Sequence, residues 1–238
     1  MQFTQAKRRG LGKKVLAFGN PAGKDSFPEL QFAERETAEL KKSFPETTQL
    51  LKSEATKLKV KELAARYDIL HFAAHTELKQ DDPLSSAVLL AKSNSDNGRL
   101  EVRDIFGLDL KASLVVLSGC ETALGKLSSG DELVGLTRAF IYAGTPSVIA
   151  SLWKVNDSST AQLMSSFYRN LKSKTKVESL RQAQLDLIRG KVSSPLLAQR
   201  GVGGIAKLGQ TSAGRSSNTI TTSHPYFWAP FVLIGDGK

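Results

Sequence analysis

Leu114-Val115-Val116-Leu117-Ser118-Gly119-Cys120-Glu121-Thr122 is the stretch that decides how this chain folds. Four apolar residues in a row, without alternation and closed by a small polar turn, read as a strand buried on both faces. A second run, Tyr67-Asp68-Ile69-Leu70-His71-Phe72-Ala73-Ala74, ends on His75 in the same way. Working outward, Lys14 to Phe18, Ala87 to Leu90, Pro146 to Trp153 and Phe231 to Ile234 give further strands. Helical spacing separates them. It recurs in Leu30, Ala33, Thr37, Leu40 and Phe44, over Glu54 to Arg66, and over Glu132 to Ala143. It returns in Ala161, Met164, Phe167, Tyr168 and Leu171, and again in Val177, Leu180, Leu187 and Ile188. Non-alternating strands interleaved with amphipathic helices predict an α/β fold, a three-layer αβα sandwich with a mostly parallel central sheet.

One domain over residues 1–238 accounts for all of these elements. Residues 1–13 form a basic N-terminal tail. Residues 193–223, rich in Gly, Ser and Thr, break every periodicity and predict a flexible inserted loop. Gly19-Asn20-Pro21-Ala22-Gly23-Lys24-Asp25 follows a strand as a phosphate loop does. However, it is one residue short, places Asp25 where a hydroxyl should bind magnesium, and loses an N–H at Pro21, so it reads as a turn.

Hydrophobic residues make up 40% and charged residues 24% of the chain, as in ordinary globular proteins. No apolar run approaches the length of a membrane span, and the N-terminal residues lack a signal-peptide core, so no membrane partner is expected. Cys120 is the single cysteine, which excludes an intrachain disulfide and suits a reducing cytoplasm. The net charge of +10 attracts acidic partners in a salt-dependent way. No nucleic-acid-binding motif accompanies it, so no specific nucleic acid is expected.

In an open parallel sheet, reactive groups gather beyond the carboxyl ends of the strands. His75 precedes Cys120 by 45 residues, close to the caspase spacing of about fifty. A thiolate is a strong nucleophile, and a neighbouring imidazole stabilises it and then protonates the leaving amine. The backbone N–H groups of Thr76 and Cys120 are the candidate oxyanion donors. A lone cysteine is often plain packing, but strand-end placement, polar flanks and the histidine favour chemistry here. His71, inside its strand, reads as a hydrogen-bonded core residue. His71 and His75 have zinc-protease spacing without the glutamate, and a Cys–His pair needs neither metal nor cofactor.

Four ordered motifs carry a resemblance: Asp68 to His75, Leu114 to Ala123, Ser151-Leu152-Trp153-Lys154-Val155-Asn156-Asp157, and His224-Pro225-Tyr226-Phe227-Trp228-Ala229-Pro230-Phe231. They are similar to the CHAT domain, in the caspase-like clan with separase, gingipain and clostripain. The resemblance implies a caspase–haemoglobinase fold and a cysteine endopeptidase acting on a protein substrate through His75 and Cys120. It also implies regulation by an attached or partner sensor such as tetratricopeptide repeats. Thr76 stands where the family usually has glycine, and a β-branched residue tolerates unusual turn dihedrals poorly. The alternative is therefore a catalytically inactive interaction module. Separase-like relatives carry an acidic pocket residue after a comparable Leu-Trp segment. Asp157 matches it, implying cleavage after Arg or Lys, with Trp153 beside it. Asp157 also reads as an N-cap, and Asp131 has the same two readings. Arg200, Lys207 and Arg215 are candidate self-cleavage points in the loop.

Overall fold

The central strand of the molecule is β3 (Ile69–Glu77), buried along almost its whole length. In this computed structural model the residues described are 11–21, 29–94, 96–119, 131–153, 155–190 and 222–238; the side chains of 131–134 are outside that description. β1 (Val15–Gly19) and β6 (Leu114–Gly119) flank β3 in parallel register. β2 (Thr47–Leu51) extends the sheet parallel to β1, and β7 (Ser147–Ser151) extends it parallel to β6. β8 (Phe231–Gly235) closes the far edge antiparallel to β7. The order is β2-β1-β3-β6-β7-β8, and the end of β3 also pairs with a small hairpin of β4 (Ala87–Leu89) and β5 (Arg99–Glu101).

Successive strand residues point to opposite faces, and each face has its own core. Leu16, Phe18, Leu70, Phe72, Val115, Leu117 and Val148 meet α2 (Lys57–Leu63), α3 (Val102–Ile105) and α4 (Asp131–Tyr142). Phe18 and Phe72 stack there with ring centroids 5.1 Å apart. Val15, Ala17, Ile69, Leu114, Val116 and Ile149 meet α1 (Ala33–Ser43), α5 (Asp157–Leu171) and α6 (Lys176–Ile188), with Phe227 of the short α7 (Pro225–Trp228). This is the expected three-layer α/β sandwich with a mostly parallel sheet.

Several local expectations need correction. The helix expected from Glu54 starts at Lys57, because the Thr56 hydroxyl accepts the Lys59 N–H and caps it. β2, β5, α3 and α7 were not anticipated: each is short, and the Thr47–Leu51 edge strand is only partly buried, so it lacks a continuous apolar signature. Leu11 packs against the α1/α5 core, and the Lys13 and Lys14 N–H groups both donate to Asp68 Oδ2 at 2.9 Å. Residues 11–13 are thus anchored to the start of β3 rather than belonging to a tail. Gly12, at φ 71°, makes that approach. Most of the inserted loop (193–221), including Arg200, Lys207 and Arg215, lies outside the described residues.

Candidate active site

His75 does not end its strand. β3 continues through Thr76 and Glu77, where Thr76 pairs with Val88 of the hairpin. What marks the position is a bulge: the register with β6 shifts between the Phe72–Leu117 pair and the His75–Gly119 pair. A bulge inserts one residue and re-aims the side chains beyond it. Gly119 permits the close approach, since a Cβ there would meet the Ala74 carbonyl oxygen at 2.5 Å. The backbone partner of His75 is thereby the residue immediately before Cys120. Cys120 itself, one of the two expected oxyanion donors, lies outside the described residues.

Ala74 packs on the α2/α3/α4 face, so the alternation of β3 puts His75 on the opposite face, toward α1 and α5. His75 is 6% exposed. Thr76 is fully buried and its Oγ1 has no hydrogen-bond partner among the described residues. The residue after the histidine is extended strand, and Asn20 and Lys52 are the described non-glycine residues with positive φ. The turn geometry that disfavours a β-branched residue is absent at Thr76.

Asp157 is the first residue of α5. The N-cap is Asn156, whose side chain accepts the Ser159 N–H at 3.1 Å, so Asp157 is not needed for capping. Its Oδ2 instead accepts the Phe32 N–H at 2.8 Å, at the start of α1. Burial pushes this carboxyl up to about 6; the Phe32 N–H opposes the rise, Glu36 adds to it and His75 opposes it. Asp157 and His75, 82 residues apart in sequence, therefore share one electrostatic neighbourhood.

Behind them is a buried polar chain. His71, wholly buried, has Nδ1 2.9 Å from the Tyr168 hydroxyl, as expected for a core histidine. Its Nε2 lies 2.8 Å from Glu36 Oε1, off the direction of a straight hydrogen bond, with both side chains essentially inaccessible. Burial, with a smaller push from Glu36, holds the Tyr168 phenol well above its ordinary range. Glu36 went unread in the sequence. The available signal was its position among Ala33, Thr37 and Leu40, a carboxylate on the apolar stripe of α1.

Trp153 is partly buried and its Nε1–H donates to the Tyr226 carbonyl at 3.3 Å, while neighbouring Leu152 remains exposed. The β7 end is thus tied to α7, near the start of α5. Asp131 is the first residue of α4, on the other face of the sheet, and its side chain is not among those described. Asn20, at φ 46°, donates to Glu29 and Glu34 and accepts the Leu30 N–H. It ties the residues after β1 to the segment leading into α1; residues 22–28, on which the rest of the expected turn falls, lie outside the description. Among the described residues, no group of three or more His, Cys, Asp or Glu is arranged to hold a metal ion, and no helix is long and apolar enough to cross a membrane.

Comparison with known proteins agrees with this architecture. Tetratricopeptide repeat protein 28 of Mus musculus is 32% identical over 136 residues, a match that takes in 57% of this chain and 4% of that protein. The Homo sapiens protein of the same name is 30% identical over the same length. Among solved structures, the Arg-specific cysteine proteinase gingipain R superposes with a TM-score of 0.50 at 10% identity, covering 98% of this chain and 48% of that one. Separase from the Saccharomyces cerevisiae separase–securin complex gives 0.46 at 13% identity, covering 72% and 11%. The fold is that of the caspase-like cysteine peptidases, and the CHAT domain profile matches residues 2–236. With nearly its entire length accounted for by that profile, the chain belongs to the CHAT domain family.

Proposed function

We propose that the chain is a cysteine endopeptidase that cleaves a protein substrate after a basic residue, with His75 and Cys120 as its dyad. The observation that carries this reading is the pairing of His75 with Gly119 across the β3 bulge. Leu114 and Val116 face α1 and α5. That is the face His75 and Asp157 occupy, and the reading requires the Cys120 thiol to open onto it.

In the proposed reaction the Cys120 thiolate attacks the scissile carbonyl carbon and the carbonyl electron pair moves to oxygen. The backbone N–H groups of Thr76 and Cys120 receive that oxyanion. Collapse breaks the C–N bond as the His75 imidazolium gives its proton to the departing amine, leaving a thioester. Water, deprotonated by His75, then attacks the thioester, and the thiolate departs. Asp157 receives the arginine or lysine side chain, because a half-buried carboxylate pairs well with a guanidinium. Trp153 forms an adjoining wall, and Asp131 is the secondary acidic candidate. The single thiol suits a reducing compartment such as the cytoplasm. The tetratricopeptide-repeat relatives support regulation by a helical-repeat module.

A peptide panel differing only in the residue before the cut tests the specificity. Preference for Arg or Lys that disappears in Asp157→Asn is expected; preference for an acidic or apolar residue overturns it. A second reading, an inactive interaction module on the same scaffold, is favoured by the depth of His75, which is 6% exposed. An arginyl ketone probe separates the two. Labelling of Cys120 that requires His75 supports the enzyme, and an inert Cys120 supports the module.

A further inference from the structure

Asn20 holds the chain where β1 ends. Its φ of 46° lies in the left-handed region, which asparagine enters more readily than most side chains. It is 6% exposed, and its backbone N–H and both ends of its amide are engaged. The N–H donates to the Ala73 carbonyl at 3.0 Å, one residue beyond the last paired residue of β1. Nδ2 donates to Glu29 Oε1 at 3.1 Å and to Glu34 Oε1 at 3.0 Å, and Oδ1 accepts the Leu30 N–H at 3.2 Å. The bond from Asn20 holds the Glu34 carboxyl below its ordinary range; burial opposes the fall, and Lys52, 3.3 Å away, adds to it. Asn20 therefore grips a charged acceptor, the stronger kind.

These contacts reach both halves of the candidate site. Ala73 lies two residues before His75, inside the register shift that delivers it. Leu30 and Glu34 lie two residues to either side of Phe32. Phe32 is the N-cap of α1, and its hydrocarbon side chain cannot cap. The entry of α1 is held from outside instead, by Asn20 on Leu30 and Glu34 and by Asp157 Oδ2, 2.8 Å from the Phe32 nitrogen. Asn20 thus joins the backbone that carries His75 to the backbone that holds Asp157.

We propose that Asn20 is a positioning residue for substrate selection: it locks the entry of α1 to the end of β1, so that the Phe32 N–H holds the Asp157 carboxylate where a basic substrate side chain enters. This rests on the reading of Asp157 as the residue that receives that side chain. Asn20 does not touch the substrate. Asparagine combines a left-handed backbone with an amide that donates twice and also accepts, which neither glycine nor aspartate does.

Asn20→Gly keeps the left-handed turn and removes the amide. Its effect is read in two ways. The first is kcat/KM for two peptides identical except for arginine or its neutral isostere citrulline before the cut. Effects on the dyad act on both peptides and cancel in the ratio. The arginine-to-citrulline ratio should fall about fivefold, mainly through KM for the arginyl peptide. The second is hydrogen exchange of the Phe32 amide, followed by NMR. Relative to the Leu40 amide, deeper in α1, it should exchange about tenfold faster. A role confined to folding lowers stability and leaves both ratios as they were, and that result overturns the proposal.

Should Asn20→Gly fail to fold, Glu34→Ala removes a partly exposed carboxylate and with it the grip beyond Phe32. It gives the same two shifts at smaller size, and no shift in either readout overturns the proposal. If the unaltered chain does not distinguish arginine from citrulline, the basic-pocket reading of Asp157 fails by itself. The Phe32 exchange ratio then decides the Asn20 link without substrate: faster exchange in the variant supports it, and unchanged exchange overturns it.

Discussion

Asp157 is held in a state that works against folding. A carboxyl raised to about 6 in the folded chain and near 3.8 in the unfolded chain binds its proton more tightly when folded. The contribution from Asp157 is therefore most favourable below pH 4, declines as pH rises from 4 to 6, and is constant above that. The full swing is up to about 3 kcal/mol. Asp157→Asn keeps an acceptor for the Phe32 N–H and removes the charge. The difference in unfolding free energy between variant and unaltered chain should grow from pH 4 to pH 7, the variant being the more stable at neutral pH. Denaturation at a series of pH values reads this directly, and a constant difference would contradict it. A destabilising, half-buried carboxylate with capping already supplied by Asn156 fits a position kept for function. Gly119 is the other decisive residue. Gly119→Ala drives a methyl onto the Ala74 carbonyl and should destabilise by about 1–3 kcal/mol. Because the bulge must open to admit it, probe labelling of Cys120 should slow more than the stability loss explains.

At the scale of elements, α5 carries Asp157, the carboxylate of the proposed pocket, and depends on its cap. Asn156→Ala removes the acceptor for the Ser159 N–H and should cost about 1 kcal/mol. Asp157 sits in the same turn, so fraying there should also weaken the preference for basic residues; unchanged specificity would show that Asp157 is placed by α1 alone. Elements with a strong period were legible in the sequence. β3, β6 and β7 are continuous apolar runs, and α1, α4, α5 and α6 have a clear apolar stripe. Elements defined by pairing rather than burial were not. β2 and β5 are short and half-exposed, and β3 runs on past His75 because the β4 hairpin supplies its partner. The bulge leaves no mark in the local pattern, since Phe72 to Thr76 are all buried. The carboxylate of Glu36 was visible only as a charge on an apolar face, and its partner His71 lies 35 residues away on another element.

At the scale of the whole molecule, the net charge of +10 is spread over surface groups, many already engaged. Lys57 and Lys61 both pair with Asp104, and Lys59 pairs with Glu62. Retention on DNA should therefore fall steeply between about 50 and 200 mM salt and show no sequence preference. Sequence-selective binding that survives the higher salt would require a recognition surface the fold does not display among the described residues. The two cores instead leave His75 and Asp157 together on the face of the sheet shared by α1 and α5.

The most direct test of this account is a crystal structure that fixes the distance from Cys120 Sγ to the His75 imidazole. The account predicts that both side chains open onto the α1/α5 face, with sulfur and ring nitrogen within hydrogen-bonding reach or joined through one water. Sulfur packed on the α2/α3/α4 face, with the sheet between it and His75, would contradict it.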